Sequence, residues 1–193
     1  VSLPKDLENE FETYFNSYDE FKKLQIKKAV QEGNSFYKLT IKLKDEIVAY
    51  DIDDTQYDMN VVGNHLDPIE FNKAIEDPNS VIVDIRNHYE SEVGRFKDAI
   101  IPDVDRSQEL LEEVRELLDG KEDKKILLYC TGGIRCEKAS SYLIKNNFKD
   151  VNQLNGGIVN YSHQVKKNNL KSKFIGKNFV FDNRLGERIT DDV

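Results

Sequence analysis

Apolar residues recur along the chain with two periods, one suited to helices and one suited to strands. Leu7, Phe11, Tyr14 and Phe15 return at helical spacing, and Pro4 suits a helix start. Leu3 to Leu24 is therefore predicted as helix, with Asn16 to Asp19 as the place where it breaks. Gln25 to Gln31 is predicted as a strand, followed by a turn at Glu32 to Ser35. Phe36 to Leu43 alternates and is predicted as a second strand, and Glu46 to Tyr50 as a short extended piece. Asp51 to Asn64 is acidic and polar without period, so residues 51–66 read as a linker.

Beyond it the pattern changes to strands alternating with helices. Pro68 to Ile75 is a short helix, and Ser80 to Ile85 an apolar strand. Gly94 to Pro102 is a strand and loop with Ile100 and Ile101 buried. Asp105 to Leu118 carries Leu110, Leu111, Val114, Leu117 and Leu118 on one helical face and stops at Asp119-Gly120. Lys125 to Tyr129 is a short apolar run of the kind found in the middle of a parallel sheet. A helix starting near Cys136, a strand at Val151 to Leu154, a Gly156-Gly157 turn and a helix from Ile158 to Lys166 follow. The order predicts an α/β domain over residues 67–170, a parallel sheet with helices on both faces. Residues 1–50 form a partial α+β segment, and residues 171–193 a C-terminal extension with Phe174 to Phe181 extended.

The chemistry concentrates where the central strand meets its helix. Cys130-Thr131-Gly132-Gly133-Ile134-Arg135 lies at the carboxyl end of a strand, where open α/β sheets bind ligands. Loop N–H groups, the helix amino terminus and the Arg135 charge all stabilise a thiolate at Cys130. Gly132 and Gly133 let the backbone curl so that several N–H groups converge on the sulfur. The competing reading is an inert cysteine after a core strand. Asp84-Ile85-Arg86 ends the preceding strand, and Arg86 with Glu90 is expected to anchor the loop floor through a charge-assisted hydrogen bond, as structural rather than catalytic groups. Cys136, in the first helical turn, is either a thiol that resolves an oxidised Cys130 or a small packing residue.

Composition narrows the classes. The chain has 193 residues, a net charge of −8 and a pI near 5.0, which argue against a protein that coats nucleic acid along its whole surface. Lys166, Lys167, Lys171, Lys173, Lys177, Arg184 and Arg188 nevertheless cluster near the end, as a phosphate-contacting patch or as plain solvated surface. Tyr161, Phe174 and Phe179 are candidates for stacking on bases or for the core. The two cysteines make neither a disulfide framework nor a zinc site and suit a reducing cytoplasm. There is no membrane-length apolar run, no signal-peptide pattern, no Rossmann fingerprint for a flavin or nicotinamide, and no spacing among His65, His88 and His163 that suits an iron site. No metal is expected. The chain opens on Val and is read as a fragment or a processed chain.

The four residues between Cys130 and Arg135 make a six-residue cradle, one shorter than the Cys-x5-Arg loop of cysteine phosphatases and similar to the loop of rhodaneses. Together with Asp84-Ile85-Arg86, Tyr89-Glu90, Cys136-Glu137-Lys138, Gly156-Gly157-Ile158 and the run Phe179 to Arg184, it resembles the rhodanese-domain family of bacterial tRNA uridine(34) hydroxylases, over about Phe36 to Arg184. The resemblance implies a rhodanese-like domain behind a partial ferredoxin-like segment. It also implies oxidation of the wobble uridine to 5-hydroxyuridine, with tRNA as partner and molecular oxygen as co-substrate. It carries over Cys130 as the essential residue, with Arg135 shaping its loop and Cys136 matching the family's second cysteine. The chain departs from the family at both ends: the EGINGT-type segment of the first domain is not recognisable, and no cysteine-rich tail follows Arg184. Two other readings stand beside this one. The first is sulfur transfer through a persulfide on Cys130, and the second is a catalytically silent RNA-binding or scaffold module.

Overall fold

The computed structural model describes residues 3–22, 24, 26, 41–181 and 185–189. The chain divides into two compact units, Val1–Leu43 with Phe181–Arg184 and Lys44–Val180 with Leu185–Val193. In the first, a 3-10 turn at Lys5–Leu7 leads into α1, Glu8–Phe15. The helix stops well short of the predicted Leu24. Asn16, Ser17 and Asp19 are turn formers, and the chain folds back so that the Phe15 ring stacks on Phe11 at 5.5 Å and on Phe21 at 4.5 Å. The strand predicted at Gln25–Gln31 lies outside the described residues except for Ile26. Of the one at Phe36–Leu43 only residues 41–43 are described, and they form no strand. Glu46–Tyr50 is turn and coil rather than extended pairing.

The second unit is built on a parallel sheet in the order β1-β5-β4-β2, formed by Asn64–Leu66, Asp150–Leu154, Lys125–Tyr129 and Ser80–Asp84. β4 lies inside the sheet, and its apolar run buries both faces. Ile126 and Leu128 enter the core on one side, with Leu110, Leu111 and Val114 of α4 (Ser107–Leu117) and Ala139, Tyr142 and Leu143 of α5 (Ile134–Lys145). Leu127 and Tyr129 enter the opposite core, with Phe71 of α2 (Pro68–Ile75) and Ile158, Tyr161 and Val165 of α6 (Gly157–Asn168). The predicted alternation thus holds within a residue or two at most ends. The Cys130 side chain continues the α4/α5 face.

Three local differences bear on the site. The expected linker 51–66 contains β1, and the residues before it run along α5: the Asp58 N–H donates to Ser141 Oγ at 2.7 Å and the Gly63 N–H to Ser140 Oγ at 2.9 Å. Its polar residues are satisfied by local caps, such as Asp53 ahead of the turn at Asp54–Gln56, rather than by water alone. His88–Val93 forms a short helix, α3, closed by a capping box between Asn87 and Glu90 that the pattern analysis did not predict. Finally, β6 (Phe174–Asn178) ends three residues before the predicted Phe181 and joins β3 (Gly94–Phe96) and β7 (Glu187–Arg188) in a small antiparallel sheet. Among the described residues no helix is long and apolar enough to cross a membrane.

Candidate active site

β4 delivers Cys130 to the end of the sheet, and the chain must then reverse into α5. Gly133 makes the reversal with φ +95° as the residue before the helix. Its N–H donates to Cys130 Sγ at 3.1 Å, and its carbonyl accepts the Cys136 N–H at 3.0 Å, which holds Cys136 beneath the same loop. The loop from Cys130 to Arg135 therefore curls back onto its own first sulfur. The loop carbonyls face the other way. Ile158 N–H donates to Cys130 O at 3.0 Å and Val159 N–H to Thr131 O at 3.1 Å, so the first turn of α6 holds the outside of the cradle. Gly157 permits this approach: a Cβ there would lie 2.5 Å from Cys130 O.

Both cysteines are fully buried. Burial alone raises a thiol's pKa, but at Cys130 the hydrogen bonds from Cys136, the Arg135 charge and the Gly133 N–H outweigh it and bring the value from 9.0 to about 6. Cys136 is pushed well up, first by burial and then by donating its proton toward Cys130. The pair thus holds one negative charge, on Cys130, at neutral pH, and the site contains an adjacent thiolate and thiol.

Arg135 does not bond the sulfur. Its guanidinium makes a two-point ion pair with Glu90, 2.6 Å to Oε1 and 2.8 Å to Oε2, and also donates to Thr131 Oγ1 at 3.2 Å. Thr131 in turn donates to Glu90 at 3.2 Å. This corrects the expected pairing of Arg86 with Glu90. Arg86 is fully buried and pairs with Asp84, Nε to Oδ1 at 2.8 Å and Nη2 to Oδ2 at 2.6 Å, while Nη2 also reaches Gly94 O at 2.7 Å. Ser91 and Tyr129 donate to the same Asp84 oxygen at 2.8 Å and 2.7 Å. Two separate carboxylate–arginine pairs therefore stand where one was expected.

Thr131, Gly132 and Arg135 are half-buried, Gly133 is buried, and Ile134 is exposed at the rim. Tyr89, next to Glu90, is also partly exposed and packs edge-to-face on Phe179 at 5.5 Å. Tyr161 and Phe174, in contrast, are buried around Phe96. Of the basic residues near the C-terminus, Lys173 is paired with Glu76 at 2.6 Å, and Arg184 lies outside the described residues. Tyr50 is a further member of the site that the sequence motifs do not single out. It is fully buried, donates to Arg135 O at 3.2 Å and is close enough to feel the charges of both cysteines. A lone aromatic residue ahead of an acidic stretch was the signal. Among the described residues no three His, Cys, Asp or Glu side chains gather as a metal site.

Residues 67–164 match the Rhodanese-like domain family. The chain is 51% identical over 194 residues to the tRNA uridine(34) hydroxylase of Leptospira interrogans, covering all of this chain and 53% of that protein. It is 44% identical over 195 residues to the tRNA uridine(34) hydroxylase of Yersinia pestis, covering 55% of it. The chain therefore spans about half the length of the curated relatives it matches. Solved structures with a similar fold include the Rhodanese-like domain of an Anabaena protein, with a TM-score of 0.46 and 17% identity over 58% of this chain and 78% of that one. A Rhodanese-like domain protein of Staphylococcus aureus gives a TM-score of 0.42 and 23% identity over 51% of this chain and 90% of that one.

Proposed function

The chain belongs to the Rhodanese-like domain family, and from that premise we propose that it is the reaction centre of a tRNA wobble-uridine hydroxylase. Cys130 is the catalytic residue and molecular oxygen the oxidant. The observation that carries this reading is the identity of 44–51% along the whole chain to proteins that bear that name. Such a reaction takes place on cytoplasmic tRNA, and a chain with two free cysteines suits that compartment.

The site residues take roles that follow from their contacts. Cys130, with its pKa at about 6, is ionised at neutral pH and is the nucleophile. The inward N–H groups hold anionic charge on the sulfur or on a group bound to it. Thr131, Gly132, Gly133 and Ile134 form the cradle wall, and Arg135 supplies its positive charge while Glu90 fixes the guanidinium. Arg86 holds the floor from behind, through Asp84.

The test is nucleoside mass spectrometry of tRNA from cells lacking the full-length gene, complemented with wild type or Cys130→Ser. Return of 5-hydroxyuridine with wild type alone upholds both the activity and the role of Cys130. A level that never depends on the gene removes the hydroxylase reading. One observation favours a second reading, sulfur transfer: a six-residue cradle around an ionised sulfur suits a persulfide equally well. Under that reading Cys130→Ser loses thiocyanate formation from cyanide and a sulfur donor, and tRNA hydroxylation is unaffected.

A further inference from the structure

Hydroxylation of a uracil carbon by oxygen has a fixed electron balance. One oxygen atom enters the C5–H bond and the other leaves as water. The C–H oxidation supplies two electrons, and reduction of oxygen to the level of water requires four. Two electrons and two protons must come from elsewhere. The chain buries two cysteines in one cluster beneath the cradle. Cys136 is the third residue of α5 and is fully buried in the same core cluster as Cys130; its N–H donates to Gly133 O at 3.0 Å, and the Gly133 N–H donates to Cys130 Sγ at 3.1 Å, so one residue ties both cysteines together. No disulfide joins them, and both are free thiols. A cysteine serving as packing alone has no need to share the residue that holds the reacting sulfur. Ala139 fills the same core face one turn later without a polar atom.

We propose that Cys130 and Cys136 together are the two-electron reductant of the reaction, and that each hydroxylation leaves a Cys130–Cys136 disulfide. This rests on the hydroxylase reading above. The balance is uridine + O2 + dithiol → 5-hydroxyuridine + H2O + disulfide. The O–O bond and the C5–H bond break, and a C5–O bond and an S–S bond form. Cys130 enters as thiolate, so one proton of the water comes from solvent and one from the Cys136 thiol. The released C5 hydrogen balances the hydroxyl group. An external thiol then returns the disulfide to the dithiol by exchange, giving an oxidised thiol pair as the second product. Cys136 is thereby a catalytic residue in its own right.

The experiment is a single turnover with the full-length protein. The protein is reduced, freed of reductant without oxygen, mixed with tRNA from the deletion strain, exposed to oxygen and quenched with an alkylating agent. The dithiol assignment predicts hydroxyuridine and a disulfide-linked Cys130–Cys136 peptide in equal amounts, with turnover stopping there until a thiol is added. Cys136→Ser keeps the size and a hydrogen-bond donor. It is expected to make at least about tenfold less product under the same conditions, with an unchanged circular dichroism spectrum. Product formed while both thiols remain alkylatable overturns the assignment. So does a Cys136→Ser protein that matches wild type. If wild type makes product under dithiothreitol but spends no disulfide without it, the dithiol assignment falls and the hydroxylase reading stands. If wild type makes no product even under dithiothreitol, both fall.

Discussion

The two arginine–carboxylate pairs beneath the cradle are both two-point ion pairs, and they differ in almost everything else. Arg86 and Asp84 are both completely buried, with Tyr129 and Ser91 completing the carboxylate and the Tyr129 and Phe174 rings within 6 Å of the guanidinium, at 5.5 and 5.9 Å. Arg135 keeps 14% of its side chain exposed above a buried Glu90, and its charge is felt by Cys130. The first pair is sealed in, and its charge is not among those that lower Cys130. The second keeps an edge in solvent, and its charge lowers Cys130. Position relative to the thiol, and not the strength of the ion pair, separates a group that holds the fold from one that tunes reactivity.

Breaking the pairs separately tests this, and the largest effect is expected at Arg86. Arg86→Met leaves Asp84 charged and buried without its partner and should cost roughly 3–5 kcal/mol in urea unfolding, while the midpoint of Cys130 alkylation against pH in the folded protein stays where it was. Arg135→Met should cost less, roughly 2 kcal/mol, because Arg135 lies at the solvent edge, so water can reach Glu90 once the guanidinium is gone, whereas Asp84 stays sealed. Its signature is instead a rise in the alkylation midpoint from about 6 and a severalfold slower reaction at neutral pH. If Arg86→Met moved that midpoint as far as Arg135→Met does, the contrast would collapse.

A third test is the pH dependence of stability. Cys130 is an acid whose pKa is lower folded than unfolded, so its contribution is absent below about pH 6, grows as pH rises toward the ordinary thiol value of 9.0, and is complete above it. The slope in that window should approach about 1.4 kcal/mol per pH unit in the difference between wild type and Cys130→Ala. Cys136 is shifted the other way, so above the unfolded thiol value stability should turn down again. A flat difference curve between pH 6 and 9 would mean that Cys130 is not held as a thiolate. The smallest effect is expected from Tyr50→Phe, which removes one hydroxyl and its bond to Arg135 O: about 1 kcal/mol of stability, measured by thermal melting, with the thiol midpoint unchanged.

The sequence revealed what local patterns encode. A five-residue apolar strand, two glycines and an amphipathic helix leave the backbone little choice, so the cradle and Cys130 could be placed from residues 124–142 alone. Partner choice was harder. Arg86 has acidic residues on both sides, and Glu90 looked as good as Asp84. The decisive signal was present: residues 84 and 86 lie two apart at the end of a strand and point to one face, whereas Glu90 is the third residue of a helix and caps its start. The true partner of Glu90 is far along the chain, and no local rule reaches it. Segment 51–66 was misread for a related reason. Its many polar residues resembled a solvated connection, but α5 presents Ser140 and Ser141, whose hydroxyls bind its backbone.

The docking of α6 gives the cradle its own reporter. The amide hydrogens of Ile158 and Val159 are spent on the carbonyls of Cys130 and Thr131. They can exchange with heavy water only when the loop leaves its closed form. Deuterium uptake at these two positions therefore measures how often the thiolate loses its surroundings, and it does so without substrate, label or turnover.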